Sequence, residues 1–245
     1  MTSNKGIRIY IDTKLTLSAR CEISADKSHY LYNVMRCKEG DVINCFNGYD
    51  GEFSAKILKI DKKKTVVELQ KQTKTPEIPS DLWLLFAPLK KDNTDFVIEK
   101  TTELGVKRII PVVTQYTNSN KIKKDRFVNQ AIEASEQCER LSIPEIADII
   151  KLKDLLNNWD NNRTLFFMNE RRGSQKIIDA FCKEKNKSVA ILVGPEGGFS
   201  DEEAKYIENL SFVRSISMGP RILRAETAVV SALSVWQACV GDCRW

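Results

Sequence analysis

The chain has 245 residues, 42% apolar and 29% charged, the composition of a soluble globular protein of one or two domains. No apolar run is long enough to cross a bilayer. The opening residues MTSNKGIRIYID lack the apolar segment of a secretory signal, so a cytoplasmic location with no membrane partner is expected. Seven cysteines, at 21, 37, 45, 138, 182, 239 and 243, contain no C-x-x-C pair, and most read as reduced core residues. The single histidine, His29, speaks against a histidine-rich metal site or a histidine-based nucleophile relay, and no metal is expected. The net charge of +5 is uneven: residues 1–75 carry 14 Lys+Arg against 9 Asp+Glu, and residues 76–245 carry 24 against 24. Such an excess points either to a segment facing a polyanion or to a solvated hairpin kept soluble by its lysines.

In chain order, "IRIYI", "DVINCFNG", "EFSAKILKI" and "TVVELQ" read as short strands, with turn signals at Asn47-Gly48 and Asp50-Gly51. One helix interrupts them. In "SADKSHYLYNVMRCKEGD", Tyr30, Leu31, Val34 and Met35 fall on one face, with Ser24 as the predicted cap and Gly40 as the stop. Residues 1–72 thus read as a small β-barrel module with one helix, and the proline-containing stretch over 73–80 as a linker. From residue 81 to 245 strands and helices alternate, from "LWLLFAPL" and "NTDFVIEKTTELG" to "SVAILVG", "SDEEAKYIENL", "FVRSISMG" and "AETAVVSALSVWQACV". This alternation implies an α/β fold with a mostly parallel sheet covered on both faces, with ligands at the carboxyl ends of the strands.

Two loops stand at such ends. In "AILVGPEGGFSDEEAKYI", Gly194, Gly197 and Gly198 can take positive φ and let a ligand approach the backbone, while Ser200 and Glu203 form a capping box. The acidic helix start and the missing G-K-[ST] ending argue against a phosphate loop. In "SMGPRILRAETAVVSAL", Arg221 and Arg224 precede a helix whose N-terminus disfavours cations. They point to an external anion, or to an intramolecular pair with Glu196, Glu226 or a similar carboxylate.

The pair "LVGPEGGFSDEE" and "MGPRILRAETA" closely resembles the signature loops of the SPOUT methyltransferases, specifically the RsmE-type 16S ribosomal RNA (uracil-N3)-methyltransferases. "KKDNTDFVIEKTTELGV", "EASEQCERLSIPEI" and "HYLYNVMRCKEGD" are similar to further segments of that family, in the same order. The resemblance implies an α/β SPOUT domain with a trefoil knot, preceded by a PUA-like RNA-binding β-barrel. It implies a homodimer that uses S-adenosylmethionine and acts on 16S rRNA within the 30S subunit. Carried over by position, Met168, Gly194, Pro195, Glu196, Gly197, Met218, Gly219 and Leu223 would hold the cofactor. Arg224 would stabilise the uracil anion and Glu226, or Glu196, would accept the N3 proton. Arg8, Arg36, Lys100, Arg140 and Arg221 would contact RNA, with Gln137 and Glu103 beside them, and Phe199 or Tyr116 could stack on the base or serve in packing. The sequence departs from the family pattern at Glu139, where glycine is common. Two other readings compete: a SPOUT enzyme acting on tRNA or a ribose hydroxyl, and a non-enzymatic RNA-binding assembly protein.

Overall fold

The computed structural model describes residues 4–118, 121–169, 175–184 and 188–242. It divides into two compact units, one of residues up to 78 with 135–143, the other of 79–134 with 144 onward.

The first unit contains β1 (Asn4–Tyr10), β2 (Arg20–Ile23), α1 (Ala25–His29), β3 (Val42–Asn47), β4 (Gly51–Ile60) and β5 (Thr65–Lys74). Its strands pair in the order β1-β3-β4-β5-β2, all antiparallel except β1 with β3. Alternation places Phe53, Ala55 and Ile57 of β4 and Thr65, Val67 and Leu69 of β5 on the buried face. The expected turn after β3 forms through Asn47, whose Oδ1 accepts the amides of Tyr49 and Asp50 at 3.0 and 2.6 Å.

Four local expectations need correction. After α1 the chain continues as a π-helical turn, Tyr30–Val34, so the helical spacing that grouped Val34 with Leu31 fails: Leu31 is buried and Val34 is exposed. Ser24 sits at the helix start but makes no side-chain cap. The chain leaves the helical turn well before Gly40, and Arg36 takes a left-handed φ of 51°. β5 also runs through Lys74, two residues into the expected linker.

Residues 135–143 join this unit through Arg8. Its guanidinium is buried, pairs with Glu52 at 2.6 Å, and donates to the carbonyls of Ser135 (2.6 Å), Glu136 (3.3 Å) and Arg140 (3.1 Å). The carbonyls of Ser135 and Glu136, in the last turn of α3, are ones a helix C-terminus leaves without intrahelical partners, and a cation there is favoured. Arg8 is therefore a packed structural group, and its expected place among RNA contacts is withdrawn.

The second unit contains β6 (Leu82–Phe86), α2 (Lys91–Glu103), β7 (Arg108–Val113), α3 (Lys124–Gln137, whose last turn belongs with the first unit), β8 (Glu145–Ile146), β9 (Ile150–Lys151) and α4 (Leu152–Asn157). It continues with β10 (Thr164–Met168), β11 (Gln175–Lys176), α5 (Ile177–Lys183), β12 (Val189–Val193), α6 (Asp201–Glu208), β13 (Val213–Ser217) and α7 (Ala225–Cys239). The sheet is parallel, in the order β11-β13-β10-β12-β6-β7-β8, with β9 beside β7. The wholly apolar β12 occupies a central position and is buried along its length, as such runs require.

At the amino end of the sheet, buried Arg163 donates to Asp81 Oδ2 at 2.6 Å and to the carbonyls of Asp81 and Val189, and its guanidinium lies 3.6 Å from the Trp83 ring centre. Burial alone would raise the Asp81 carboxyl, but hydrogen bonds from Arg163 and Ser188 and the arginine charge outweigh it and hold the pKa below the ordinary value.

The reading of the cysteines as core holds for Cys21, Cys37 and Cys45, which are buried. It fails for Cys138, one residue beyond α3, and for Cys182 on α5, both exposed. Cys182 Sγ lies 3.1 Å from Cys239 Sγ on α7. Cys243 lies outside the described residues.

Candidate functional site

The carboxyl ends of β10, β12 and β13 open onto one cavity, closed by the first turn of α7. This is where a parallel α/β sheet presents loops to a ligand. Each wall follows from a local feature of the sequence. β12 delivers Val193 and then Gly194, whose missing side chain is a packing requirement. A β-carbon there would lie 2.5 Å from Cε2 of Phe199. Phe199 in turn packs edge-on against Phe167 at 5.0 Å, so it is a cavity wall rooted in the core. The turn Pro195–Gly198 closes with the Gly198 amide donating to the Pro195 carbonyl at 2.9 Å, and Gly198 takes a φ of 68° that only glycine adopts at little cost.

The capping box at α6 is present. Ser200 Oγ accepts the Glu203 amide and Glu203 Oε2 accepts the Ser200 amide, each at 3.2 Å. Glu203 Oε1 also accepts the Gln115 amide at 2.7 Å, tying the loop after β7 to the same helix start.

The third wall is the segment from Met218 to Arg224. Gly219 turns the chain with a φ of 106°, and Arg224 occupies the N-cap position of α7 without a side-chain cap. Arg221 and Arg224 are exposed at the cavity, and among the described residues neither side chain has an ion-pair or hydrogen-bond partner. The intramolecular alternative, pairing with Glu196 or Glu226, is not what the fold adopts.

Of the expected cofactor residues, Met168, Gly194, Pro195, Glu196, Met218, Gly219 and Leu223 come together around the cavity. Gly197 does not: it lies outside this wall and faces Tyr116, whose Cβ would be 3.2 Å from an added β-carbon. Glu226, expected as a proton acceptor, is not among the residues that line the cavity. Its Oε2 is buried with no hydrogen-bond partner among the described residues.

The expected RNA residues are dispersed. Arg36 is exposed in the first unit. Arg140 donates to Ser142 at 3.1 Å. α3 ends at Gln137 and Glu139 takes a left-handed φ of 63°. Glu136 pairs with Lys27 at 2.5 Å. Lys100 lies on α2 between Glu103 (2.8 Å) and Glu99 (2.7 Å), whose hydrogen bonds raise its pKa.

Sequence reasoning passed over Ala225 and Ala228, whose i, i+3 spacing in an alanine-rich helix was the available signal for a face that leaves room for a ligand. It also passed over the Asn169 side chain. Asn169 is buried on the cavity wall, and its Nδ2 donates to Glu208 Oε1 at 2.6 Å and to Ser215 Oγ at 3.3 Å. Glu208 is separated from it by three elements, β11, α5 and β12, so no local pattern could link them.

The comparisons agree with this geometry. A family profile described as an RNA methyltransferase domain matches residues 76–237, and one described as an RNA methyltransferase PUA domain matches residues 23–70. A relative from Rickettsia conorii named "Ribosomal RNA small subunit methyltransferase E" is 37% identical over 93% of this chain and 93% of its own length. A protein of the same name from Bacillus subtilis is 31% identical over 86% of this chain and 87% of its own length. Among solved structures, a Legionella pneumophila methyltransferase in complex with S-adenosylmethionine aligns with a TM-score of 0.85 at 32% identity, covering 96% of this chain and 98% of its own. A Neisseria gonorrhoeae ribosomal RNA small subunit methyltransferase E, bound to the same molecule, gives 0.87 at 25% identity, covering 97% and 99%. With both profiles matched in order and relatives aligned nearly end to end, the chain belongs to the RNA methyltransferase family represented by ribosomal RNA small subunit methyltransferase E, a SPOUT-type α/β domain with an N-terminal PUA-like domain.

Proposed function

We propose that the protein transfers the methyl group of S-adenosylmethionine to N3 of a uridine in 16S rRNA. The observation that carries the reading is the pairing, at one cavity, of a glycine-turned wall with two arginines that have no partner among the described residues. The wall fits a nucleoside. Val193, Phe199, Leu223 and Ala228 offer apolar surface, the turns at Gly194 and Gly219 bring backbone groups within reach, and no lysine lines it among the described residues. S-adenosylmethionine supplies an electrophilic methyl on a sulfonium centre. Exposed Glu196 on the wall is the charge complement for that cation or for an ammonium.

N3 of uracil carries a proton, so its attack requires that proton to leave while negative charge spreads over the flanking carbonyl oxygens. Arg224, held at the start of α7 by the helix it begins, is the donor for that charge. Glu196, on the wall where Glu226 is not, is the carboxylate placed to take the proton. Arg221 in the second unit and Arg36 in the first are cations for RNA phosphates, with Arg140 and Lys100 as weaker candidates. Action on the 30S subunit, dimerisation, the knot and a cytoplasmic setting belong to the same proposal, supported by family membership.

The test is mass spectrometry of 16S rRNA from cells with and without the gene. Loss of one N3-methyluridine on deletion and its return on complementation are expected. An unchanged N3-methyluridine content overturns the reading.

A further inference from the structure

Gly197 belongs to the glycine turn yet does not line the cavity, although Glu196 and Gly198 on either side of it do. It faces an open groove formed with the loop that follows β7, Gln115 to Asn118. A β-carbon at 197 would come within 3.2 Å of Tyr116 Cβ and 3.7 Å of its Cγ, so the missing side chain keeps the groove open at the foot of the ring. Thr117 Oγ1 accepts the Thr114 amide at 2.8 Å, the Thr117 amide donates to the Thr114 carbonyl at 3.2 Å, and the Gln115 amide donates to Glu203 at 2.7 Å. These bonds fix the loop's backbone, while the side chains of Gln115, Tyr116 and Asn118 stay exposed.

The two aromatic candidates for stacking on a base part company here. Phe199 is rooted in the core against Phe167. Tyr116 is 47% exposed, and among the described residues its ring has no aromatic, cationic or hydrogen-bond partner. A tyrosine carried on a fixed backbone offers a large flat surface with only two side-chain torsions to restrain.

We propose that this groove is the subsite for the target base: a uracil splayed from its RNA strand stacks on Tyr116, Gly197 leaves it room, and the Gln115 and Asn118 amides donate to its carbonyl oxygens. This rests on the proposed methyl transfer to uracil N3. Two amide donors satisfy the oxygens that flank N3 and leave the nitrogen itself open. Continuity with the cavity favours this occupant. The turn has the cavity against Glu196 and Gly198 and the groove against Gly197, so cofactor and base meet at the edge of one turn, beside the carboxylate assigned to the N3 proton. Transfer requires that adjacency, since the reacting atoms must come within about 3–3.5 Å.

The experiment uses the full chain with 30S subunits from cells lacking the gene, and follows single-turnover formation of N3-methyluridine alongside calorimetric affinity for S-adenosylhomocysteine. Tyr116→Ala should slow methylation at saturating enzyme by roughly 10- to 100-fold, the scale of one lost base-stacking contact, with cofactor affinity within a few-fold of wild type. Tyr116→Phe, which keeps the ring, should recover most of the rate. Gly197→Ala should slow methylation while retaining the fold by circular dichroism and the affinity for cofactor. A wild-type rate in Tyr116→Ala overturns the proposal. So does an equal loss in Tyr116→Phe and Tyr116→Ala, or a loss of rate that tracks a loss of cofactor affinity, as a purely structural loop would give. A change of oligomeric state in Tyr116→Ala, seen by sedimentation, assigns the groove to a second copy of the chain and likewise overturns it. If the wild-type chain binds the cofactor but forms no N3-methyluridine, the proposed reaction falls and the subsite with it; an active wild type with an unimpaired Tyr116→Ala variant removes the subsite alone.

Discussion

Gly194 and Phe199 are fitted to one another: the ring occupies the space a side chain at 194 would need, with Cε2 2.5 Å from the ideal β-carbon position. Gly194→Ala must push the ring off Phe167 or shift the turn. It should destabilise the protein by about 1–3 kcal/mol, the cost typical of overpacking, and weaken S-adenosylmethionine binding, seen in thermal denaturation and calorimetry together. Gly197→Ala is the contrast. Its added carbon meets Tyr116 Cβ at 3.2 Å, a tight approach but a longer one than the 2.5 Å at Gly194, so both readouts should change less.

Arg224 has no partner among the described residues to lose, so Arg224→Ala should leave thermal stability within about 0.5 kcal/mol, as for surface substitutions away from special features. Single-turnover methylation of 30S subunits should slow by roughly 10²–10³-fold, the scale of a lost donor to developing negative charge. Cofactor affinity should stay within a few-fold. Full turnover in this variant would remove Arg224 from the chemistry.

The Asp81–Arg163 pair gives a pH dependence with a definite sign. The folded-state pKa of Asp81 lies below its unfolded value, so its stabilising contribution is present above the unfolded value and is lost as pH falls through the folded one. Asp81→Asn should therefore unfold at lower urea than wild type at pH 7, and the gap should close as pH falls into the acid range below the ordinary carboxylate pKa. Arg163→Met removes the buried partner of Asp81 and leaves its carboxylate to Lys107 and Trp83, so it should destabilise at neutral pH by less than the ~3–5 kcal/mol of a fully unpaired buried charge. A gap independent of pH would contradict the ion-pair account.

Cys182 and Cys239 bring two sulfurs to 3.1 Å across α5 and α7. Mild hydrogen peroxide should join them, the two thiols giving up two hydrogens while peroxide is reduced to water. Peptide mapping should find this cross-link, and Cys182→Ser should remove it without loss of fold. Buried Cys21, Cys37 and Cys45 should stay reduced under the same treatment.

Long apolar runs and glycine-marked loops made most of the second unit legible, since β6, β12 and α7 carry patterns that a single period explains. β2 was not, because "RCEI" is four residues with two charges and takes its place only by pairing with β5. The end of α3 is not legible for a similar reason. Helical periodicity continues through Glu139 and Arg140, but the chain turns at Glu139 into a conformation that favours glycine. At the site, the loops announced themselves through glycine and arginine. Gly197 and Glu226 belong to the motifs but not to the cavity lining, because a sequence motif names positions without saying which way each faces. Arg8 looked like a surface cation and is a buried one, satisfied by carbonyls that lie far along the chain.

Glu203 serves two amides at once, Ser200 on its own helix and Gln115 beyond β7. A single carboxylate thus acts as a shared hinge pin: the floor of the glycine turn and the strand-end loop across from it must travel as one piece. A molecule that grips the Gln115–Asn118 loop from outside would be felt at the cavity without touching it.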